Sequence, residues 1–408
     1  MRFGPGLGIA AAPALGRRRV PAGRVVPSGL IPDPQARLDD HAGWMLDGGF
    51  TALPGAIAKT DFAAAGTAGY DAAVPAGDLW VAYTVTGATA GTIGAQLGGP
   101  YRASPFVGKA EAQHVARFSS VGHTRVRLNA TATFDGTVED VQAVDMTDLL
   151  AQPSDIYIAA GQSLIAAESK STPVDPARDF WVPRCLYVPG YTNTAYGSVD
   201  GAVAASAGPL QMLQASQGVS PALSFARRIE QATPPGRTVL TVACAKGGTR
   251  LIGDDAEWNP NATVGAGGTL YQRMVQMAQA AVARTPGSRV CGLIWGQGES
   301  DRSSTMDAVY PPAFQAMLSA LRTDLAEPSL PVILLGPMPD DLSVHQPRFL
   351  QMQARLDQGS GHATATAGVH YVARPSGFMS DDGTHPEPEG NRVAGRLGAE
   401  RFIAEGYL

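Results

Sequence analysis

Cysteine is scarce in this sequence. Its three residues, Cys185, Cys244 and Cys291, stand far apart in a chain of 408, which excludes a disulfide framework and any zinc-type cysteine spacing. Cys244 and Cys291 lie inside the apolar runs TVLTVACA and RVCGLIW, where a buried thiol behaves as a small hydrophobe. No apolar run approaches the roughly 18 residues that a membrane-crossing helix needs, so no membrane insertion is expected. Charge is thin as well: Lys and Arg number 31 against 36 Asp and Glu, for a formal net charge of -5. That balance offers nucleic acid no basic field and contains no acidic tail, so nucleic acid is not an expected partner.

What the chain does have is apolar content. Hydrophobic residues make up 44% and charged residues only 16%, which excludes wholesale disorder. At roughly 150 residues per domain, the length implies two or three domains. The first residues, MRFGPGLGIAAAPALGRRR, imitate a signal peptide only in outline. Glycine and proline break the apolar part, a single arginine precedes it, and Arg17 to Arg19 stand where a polar cleavage region belongs.

Three regions follow from composition and period. Residues 1–38, rich in Gly, Pro, Ala and Arg without a sustained period, read as an extended arm or tether. Residues 39–150 read as an antiparallel β-sandwich. Leu79, Val81, Tyr83 and Val85 alternate on one face of DLWVAYTVTG, Val126, Leu128, Ala130 and Ala132 do so in TRVRLNATATF, and Gly-rich turns separate the runs. Residues 151–408 alternate apolar strands (DIYIAAG, RTVLTVACAKGG, SRVCGLIWGQG, LPVILLGPM) with amphipathic stretches (LYQRMVQMAQAAVAR, PPAFQAMLSALRTDLAE, GNRVAGRLGAERFIAEG). That pattern is an α/β fold with a parallel sheet covered on both faces, expected to fold by itself. Ligands of such sheets bind beyond the carboxyl ends of the strands.

Candidate residues collect at those ends. The first strand delivers Gly161, Gln162 and Ser163, the second Gly247 and Gly248, and a later one Gln297, Gly298, Glu299 and Asp301; Asp382 and His385 precede the last helix. Each has an ordinary alternative: Ser163 as a helix N-cap, the glycine pair as a turn, the acids as solvated loop. Together they supply a nucleophile, a base with an acid three residues before it, and oxyanion donors. Serine is a poor nucleophile without a neighbouring base, and an imidazole, with an ordinary pKa of about 6.5, takes and returns a proton readily. Asp382 is placed to hold its tautomer, with Asp381 as the rival acid.

In order and spacing, GQS, GGT, WxQGESD and DGTHP resemble the blocks of the SGNH (GDSL-like) hydrolase superfamily. They are most similar to its sialate O-acetylesterase and acetylxylan esterase-like branch, over about residues 153–406. The resemblance implies a three-layer α/β/α fold and a carbohydrate O-acetylesterase with no cofactor or metal. It carries over Ser163, His385 and Asp382 as catalytic, and Ser163, Gly247 and Gln297 as the oxyanion hole. Gln162, Gly248, Glu299, Asp301 and Trp258 fall to support or substrate binding, with a packing role equally open for Trp258. Leu164 departs from the polar residue that usually follows GQS.

The stretch from YTVTGATAGTIGAQLGG to FDGTVEDVQAV is similar to a β-sandwich module of phage tail fibres and virion surface proteins. This second resemblance implies an acetylated bacterial surface polysaccharide as substrate and other structural proteins of a virion or gene transfer particle as partners of the arm. A homo-oligomer on the particle surface is then the expected assembly, with a cytoplasmic or secreted esterase as the alternative location. A glycan-binding adhesin on an inactive hydrolase fold and a lipid or small-ester hydrolase remain open alternatives.

Overall fold

The computed structural model describes residues 44–408, apart from 54–55, 60–64, 98–101, 104–111, 168–173, 176–177, 194–195, 197, 217 and 263–267. The arm expected over residues 1–38 lies outside the described residues. Eight strands form the first unit: β1 Trp44–Asp47, β2 Phe50–Leu53, β3 Ala56–Lys59, β4 Gly66–Ala90, β5 Ile93–Leu97, β6 Arg102–Ala103, β7 Ala112–Ala130 and β8 Asp135–Asp145. They are hydrogen-bonded into one antiparallel sheet of order β2-β3-β8-β4-β7-β5-β6, with β1 on β4. The expected two separate sheets are joined because β4 and β7, at 25 and 19 residues, run through both halves. Ala68 and Tyr70 from one half of β4 and Leu79, Val81, Tyr83 and Val85 from the other share one core with Val126, Leu128 and Ala130. Ala132 falls beyond β7, in the turn, and leaves that face.

The period of two decides what the same strand does on its other side. Trp80 and Ala82 point away from the sheet core and join Val144, Met146 and Leu149 in the core of the second unit. There Trp80 meets Trp181, with ring centroids 5.4 Å apart, and the Trp181 amide donates to Gln113 Oε1 at 2.6 Å. A short helix, α1 Thr147–Ala151, leads across.

The second unit is a seven-stranded sheet built from β9 Ser154–Gly161, β10 Cys185–Val188, β11 Ala204–Ala205, β12 Thr238–Ala243, β13 Arg289–Gly296, β14 Val332–Leu335 and β15 Val369–Val372. Its order is β11-β10-β12-β9-β13-β14-β15, parallel throughout except for β11. Helices cover both faces: α2 Ser163–Ala166, α3 Pro221–Glu230, α4 Leu270–Ala283, α5 Met306–Asp324, α6 Gln346–Arg355 and α7 Pro388–Ala404. Ile156, Ile158 and Ala160 of β9 face Met274 and Met277 of α4, Phe314 of α5 and Phe349 of α6. Tyr157 and Ala159 face Phe225 of α3 and Phe402 of α7. This is the three-layer α/β/α fold. The strands at β10, β11 and β15 were not expected. After β9 the chain builds β10 and β12 on one side, then crosses to build β13, β14 and β15 on the other. The order therefore reverses beside β9, which makes its carboxyl end the switch point where such folds bind ligands.

A fragment beginning at residue 151 keeps every α/β element but bares the apolar seam that Trp80, Val144 and Met146 cover. It should unfold at a lower temperature than the full chain in a thermal melt. In the full chain Trp181→Ala should cost about 3–5 kcal/mol in urea unfolding, the usual range for a buried aromatic.

Candidate active site

The turn that ends β9 is pinned to the strands on either side of it. Gln162 N donates to Gly296 O at 2.8 Å, and Lys246 N donates to Gly161 O at 3.0 Å. Gly161 takes φ +124°, and a Cβ there would fall 2.1 Å from Gly296 O, so only glycine permits this approach. Gln162 is extended, and Ser163 follows as the first residue of α2, buried at 7% exposure. Its placement is therefore that of a strand-end serine on a tight turn, with Gln162 in the N-cap position instead.

The loop after β12 carries Gly247 and Gly248. Gly248 takes φ +69° in the turn, while the Gly247 amide donates to Gln214 Oε1 at 2.9 Å. Thr249 closes the loop by donating to Lys246 O at 2.8 Å. Trp258 is wholly buried, its indole N–H on Thr249 Oγ1 at 2.8 Å and its ring edge-on to Trp295. Of the two roles open to it, the structure gives Trp258 the packing one.

Beyond β13, Gln297 is placed differently from the expected oxyanion donor. Its Nε2 donates to Asp301 Oδ2 at 2.5 Å and Thr249 O at 3.1 Å, with Gln162 Oε1 at 3.5 Å. Three acceptors around one nitrogen fix the amide orientation and leave its two hydrogens engaged. Gln297 thus ties three loops together, and its buried Oε1 has no partner. Asp301 also accepts from the amides of Leu251 and Ile252 at 2.9 and 3.2 Å; burial raises its carboxyl above the usual range against those bonds. Burial likewise raises Glu299, opposed by the charges of Arg374 and Arg302, and Glu299 Oε2 has no hydrogen-bond partner.

Asp382 and His385 meet on the turn between β15 and α7, with Asp382 Oδ2 2.7 Å from His385 Nδ1. Asp382 Oδ1 accepts from Ser380 Oγ at 2.8 Å and from the amides of Thr384 and His385, each at 2.9 Å. Desolvation, the largest single influence on this carboxyl, acts upward, yet the hydrogen bonds from His385, Thr384 and Ser380 together hold it far below the ordinary carboxylate range. The rival Asp381 is exposed on the same turn.

The nucleophile turn is linked to the helix that follows this turn by Arg374, which no motif singled out. Its guanidinium is 4% exposed and donates to Leu164 O at 3.1 Å, Asn391 Oδ1 at 2.8 Å and Gly336 O at 2.8 Å. Asn391 in turn donates to Val219 O at 2.8 Å. One side chain therefore joins the nucleophile turn, the end of β14 and the first turns of α7. Burial lowers its pKa to about 10, against the charge of Glu299. The only sequence signal was an arginine directly after an apolar strand, in YVARPSG; Gln214 offered none.

A sequence model of the family described as carbohydrate esterase, sialic acid-specific acetylesterase, matches residues 153–404. The chain belongs to that family. A probable 9-O-acetyl-N-acetylneuraminic acid deacetylase of Escherichia coli (strain K12) is 30% identical over 117 residues, covering 27% of this chain. The match spans 36% of that protein's length. Among solved structures, a protein from Arabidopsis thaliana is 22% identical with a TM-score of 0.47, covering 63% of this chain and 100% of its own. A carbohydrate acetylesterase from Xanthomonas citri is 16% identical with a TM-score of 0.43, covering 83% and 72%. Within this esterase family, the match begins one residue before β9 and runs to the last residue of α7, so it contains every candidate catalytic residue and excludes the first unit.

Two outcomes test the esterase site. Because the Asp382 carboxyl titrates below its unfolded value of about 3.9, its contribution to stability is complete above that pH and is lost as pH falls through and below it. Asp382→Asn should therefore flatten the acid limb of a melting-temperature profile below about pH 4. Arg374→Met, which strips three buried acceptors of their donor and leaves Glu299 without its strongest compensating charge, should destabilise by about 3–5 kcal/mol in urea unfolding.

Proposed function

We propose that the protein is a serine esterase that removes O-acetyl groups from a carbohydrate, with Ser163, His385 and Asp382 as its triad. The observation that carries this reading is the Arg374 bridge, which ties the residue after Ser163 to the start of the helix that follows the Asp382–His385 pair. Asp382 on Nδ1 fixes the tautomer in which Nε2 is the basic nitrogen. His385 Nε2 takes the proton as Ser163 Oγ attacks the acetyl carbonyl. The tetrahedral oxyanion is held by the backbone amides of Ser163 and Gly247. Collapse of that intermediate breaks the bond to the sugar oxygen, which leaves with the proton returned by His385. Water, deprotonated by the same imidazole, then releases acetate from the acetyl-serine and restores the hydroxyl.

The contact between Gly247 N and Gln214 Oε1 fits this scheme, since an amide carbonyl there has the acceptor chemistry of an ester carbonyl. The incoming ester displaces it. Gln297 acts by ordering the loops that carry Gly247 and Ser163. Leu164, the departure from the usual motif, is 1% exposed inside α2 and offers its carbonyl to Arg374, so its side chain supports the turn without entering the site.

The substrate in this reading is an acetylated bacterial surface polysaccharide, met by a spike or fibre on a virion-like particle. Support comes from the tail-fibre-like pattern of residues 83–144 and the Gly/Pro/Arg composition of residues 1–38, which suits an arm lying along other particle proteins. Homo-oligomerisation of the spike belongs to the same reading.

Ser163→Ala should lower acetate release from p-nitrophenyl acetate and from acetylated glycan by at least about 10³-fold. Glycan binding with no acetate release by the unaltered protein would favour an adhesin, and release from p-nitrophenyl acetate alone would favour a small-ester hydrolase. Gln214→Ala should lower KM for a small acetate ester severalfold at nearly constant kcat; a raised KM would make Gln214 a substrate contact instead.

A further inference from the structure

Helices α3 and α7 pack side by side on one face of the α/β sheet. They come so close at Gly395 that a Cβ there would fall 2.0 Å from Pro221 O. Along the outer edge of this seam runs a groove of about 500 Å³, lined by arginines from both helices and from the preceding loop. Two of the five arginines are spent on the framework. Arg392 donates to both carboxylate oxygens of buried Asp179, at 2.9 and 2.6 Å, and Arg178 pairs with Glu389.

The other three form no close carboxylate pair among the described residues. Arg227 lies with its guanidinium carbon 4.1 Å above the Phe180 ring and donates to the Arg178 carbonyl, and no carboxylate pairs with it among the described residues. Arg228 likewise has no carboxylate partner among the described residues. Arg396 reaches Glu400 only at 3.8 Å, with the two side chains 55% and 41% exposed, a geometry that contributes little. Ordinary i,i+4 pairing on a solvated helix accounts for Arg396 with Glu400. It does not account for Arg227 and Arg228, set opposite Arg396 across a groove in a chain whose formal net charge is -5.

Three guanidiniums without a close carboxylate among the described residues, set along one groove, suit a series of planar carboxylates, which a guanidinium fork binds in bidentate fashion. The groove's position gives it a role. Glu389, at its near end, is four residues beyond His385, and α7 carries the groove onward to Glu400, about 16 Å further at the helical rise. We propose that this groove binds a carboxylate-bearing stretch of the glycan outside the reacting centre, so that the substrate is an acidic polysaccharide held along α7. The proposal rests on the carbohydrate esterase reading for its ligand class, while the groove itself is tested without catalysis.

The test uses the full chain, with Arg228→Ala and Arg396→Ala combined, since Arg228 is half-buried and Arg396 exposed and neither belongs to the catalytic machinery. Oligosialic acid is the probe, the same oligomer with its carboxyl groups reduced to alcohols is the control, and binding is followed by titration calorimetry. The unaltered protein should bind the acid and not the reduced form, with affinity falling as salt is added. The double variant should bind at least about tenfold more weakly, the loss expected for two charge-assisted contacts. Its p-nitrophenyl acetate hydrolysis should be unchanged, and its KM, not its kcat, should rise on an acetylated acidic oligomer. Equal binding of the reduced oligomer, equal binding by the double variant, or equal and variant-sensitive retention of single-stranded DNA would each overturn the proposal. Absence of p-nitrophenyl acetate hydrolysis in the unaltered protein would overturn the esterase reading alone, because the binding comparison does not depend on turnover.

Discussion

The site depends on how closely three strand ends can be brought together. Gln162 N on Gly296 O and Lys246 N on Gly161 O lock the carboxyl ends of β9, β13 and β12 into one rigid rim. The missing side chain at Gly161 is what lets the rim close, since any Cβ would collide with the Gly296 carbonyl. Gln162, Ser163 and Gln297 hang from that rim one or two residues beyond a strand end, and Gly247 and Gly248 follow directly on the locked Lys246. Catalytic groups need sub-ångström placement, and a strand end fixed from both sides provides it better than a free loop.

The polar groups on the rim form a single network. Gln297 spans Asp301 and Thr249, Thr249 is braced by Trp258, and Arg374 spans the nucleophile turn and the last helix. Such a network is stable only when its members are satisfied, because a buried charge or amide without a partner loses its hydration for nothing. Its exceptions, Gln297 Oε1 and Glu299 Oε2, lie in the loops of the candidate site. The opposite end of β9 carries an ionic cluster, in which Asp155 Oδ2 is likewise without a hydrogen-bond partner. Buried Asp155 is held by Arg237 and Arg289, each at 2.9 Å, and those bonds keep its carboxyl low against desolvation. That ionic cluster sits at the amino-terminal edge of the sheet, where it ties strands together and has no catalytic neighbour.

The first unit joins the second through side chains. Alternation along β4 sends Leu79, Val81 and Tyr83 into the sheet's own core and Trp80 and Ala82 into the esterase core. A strand buried on both faces cannot be removed without baring one of them. The two sheets part near residue 150, where the family match begins, while the packing runs across.

What the sequence determined by itself was local. Near-continuous apolar runs marked β9, β12, β13 and β14, and amphipathic stretches marked the helices α4, α5 and α7, because burial on two faces or one leaves its trace in the local order of residues. The Asp382–His385 pair was legible because it is local: two residues three apart on one tight turn meet whatever the rest of the chain does. Tertiary structure decided the rest. Arg374 lies 210 residues from Leu164, Gln214 lies 33 from Gly247, and Gln297 turned out to serve its own loops. It also joined the two expected sheets into one and set the arginines of α3 against those of α7. Such contacts leave no period or spacing behind, since they exist only once the order of the strands has brought distant segments to the same edge.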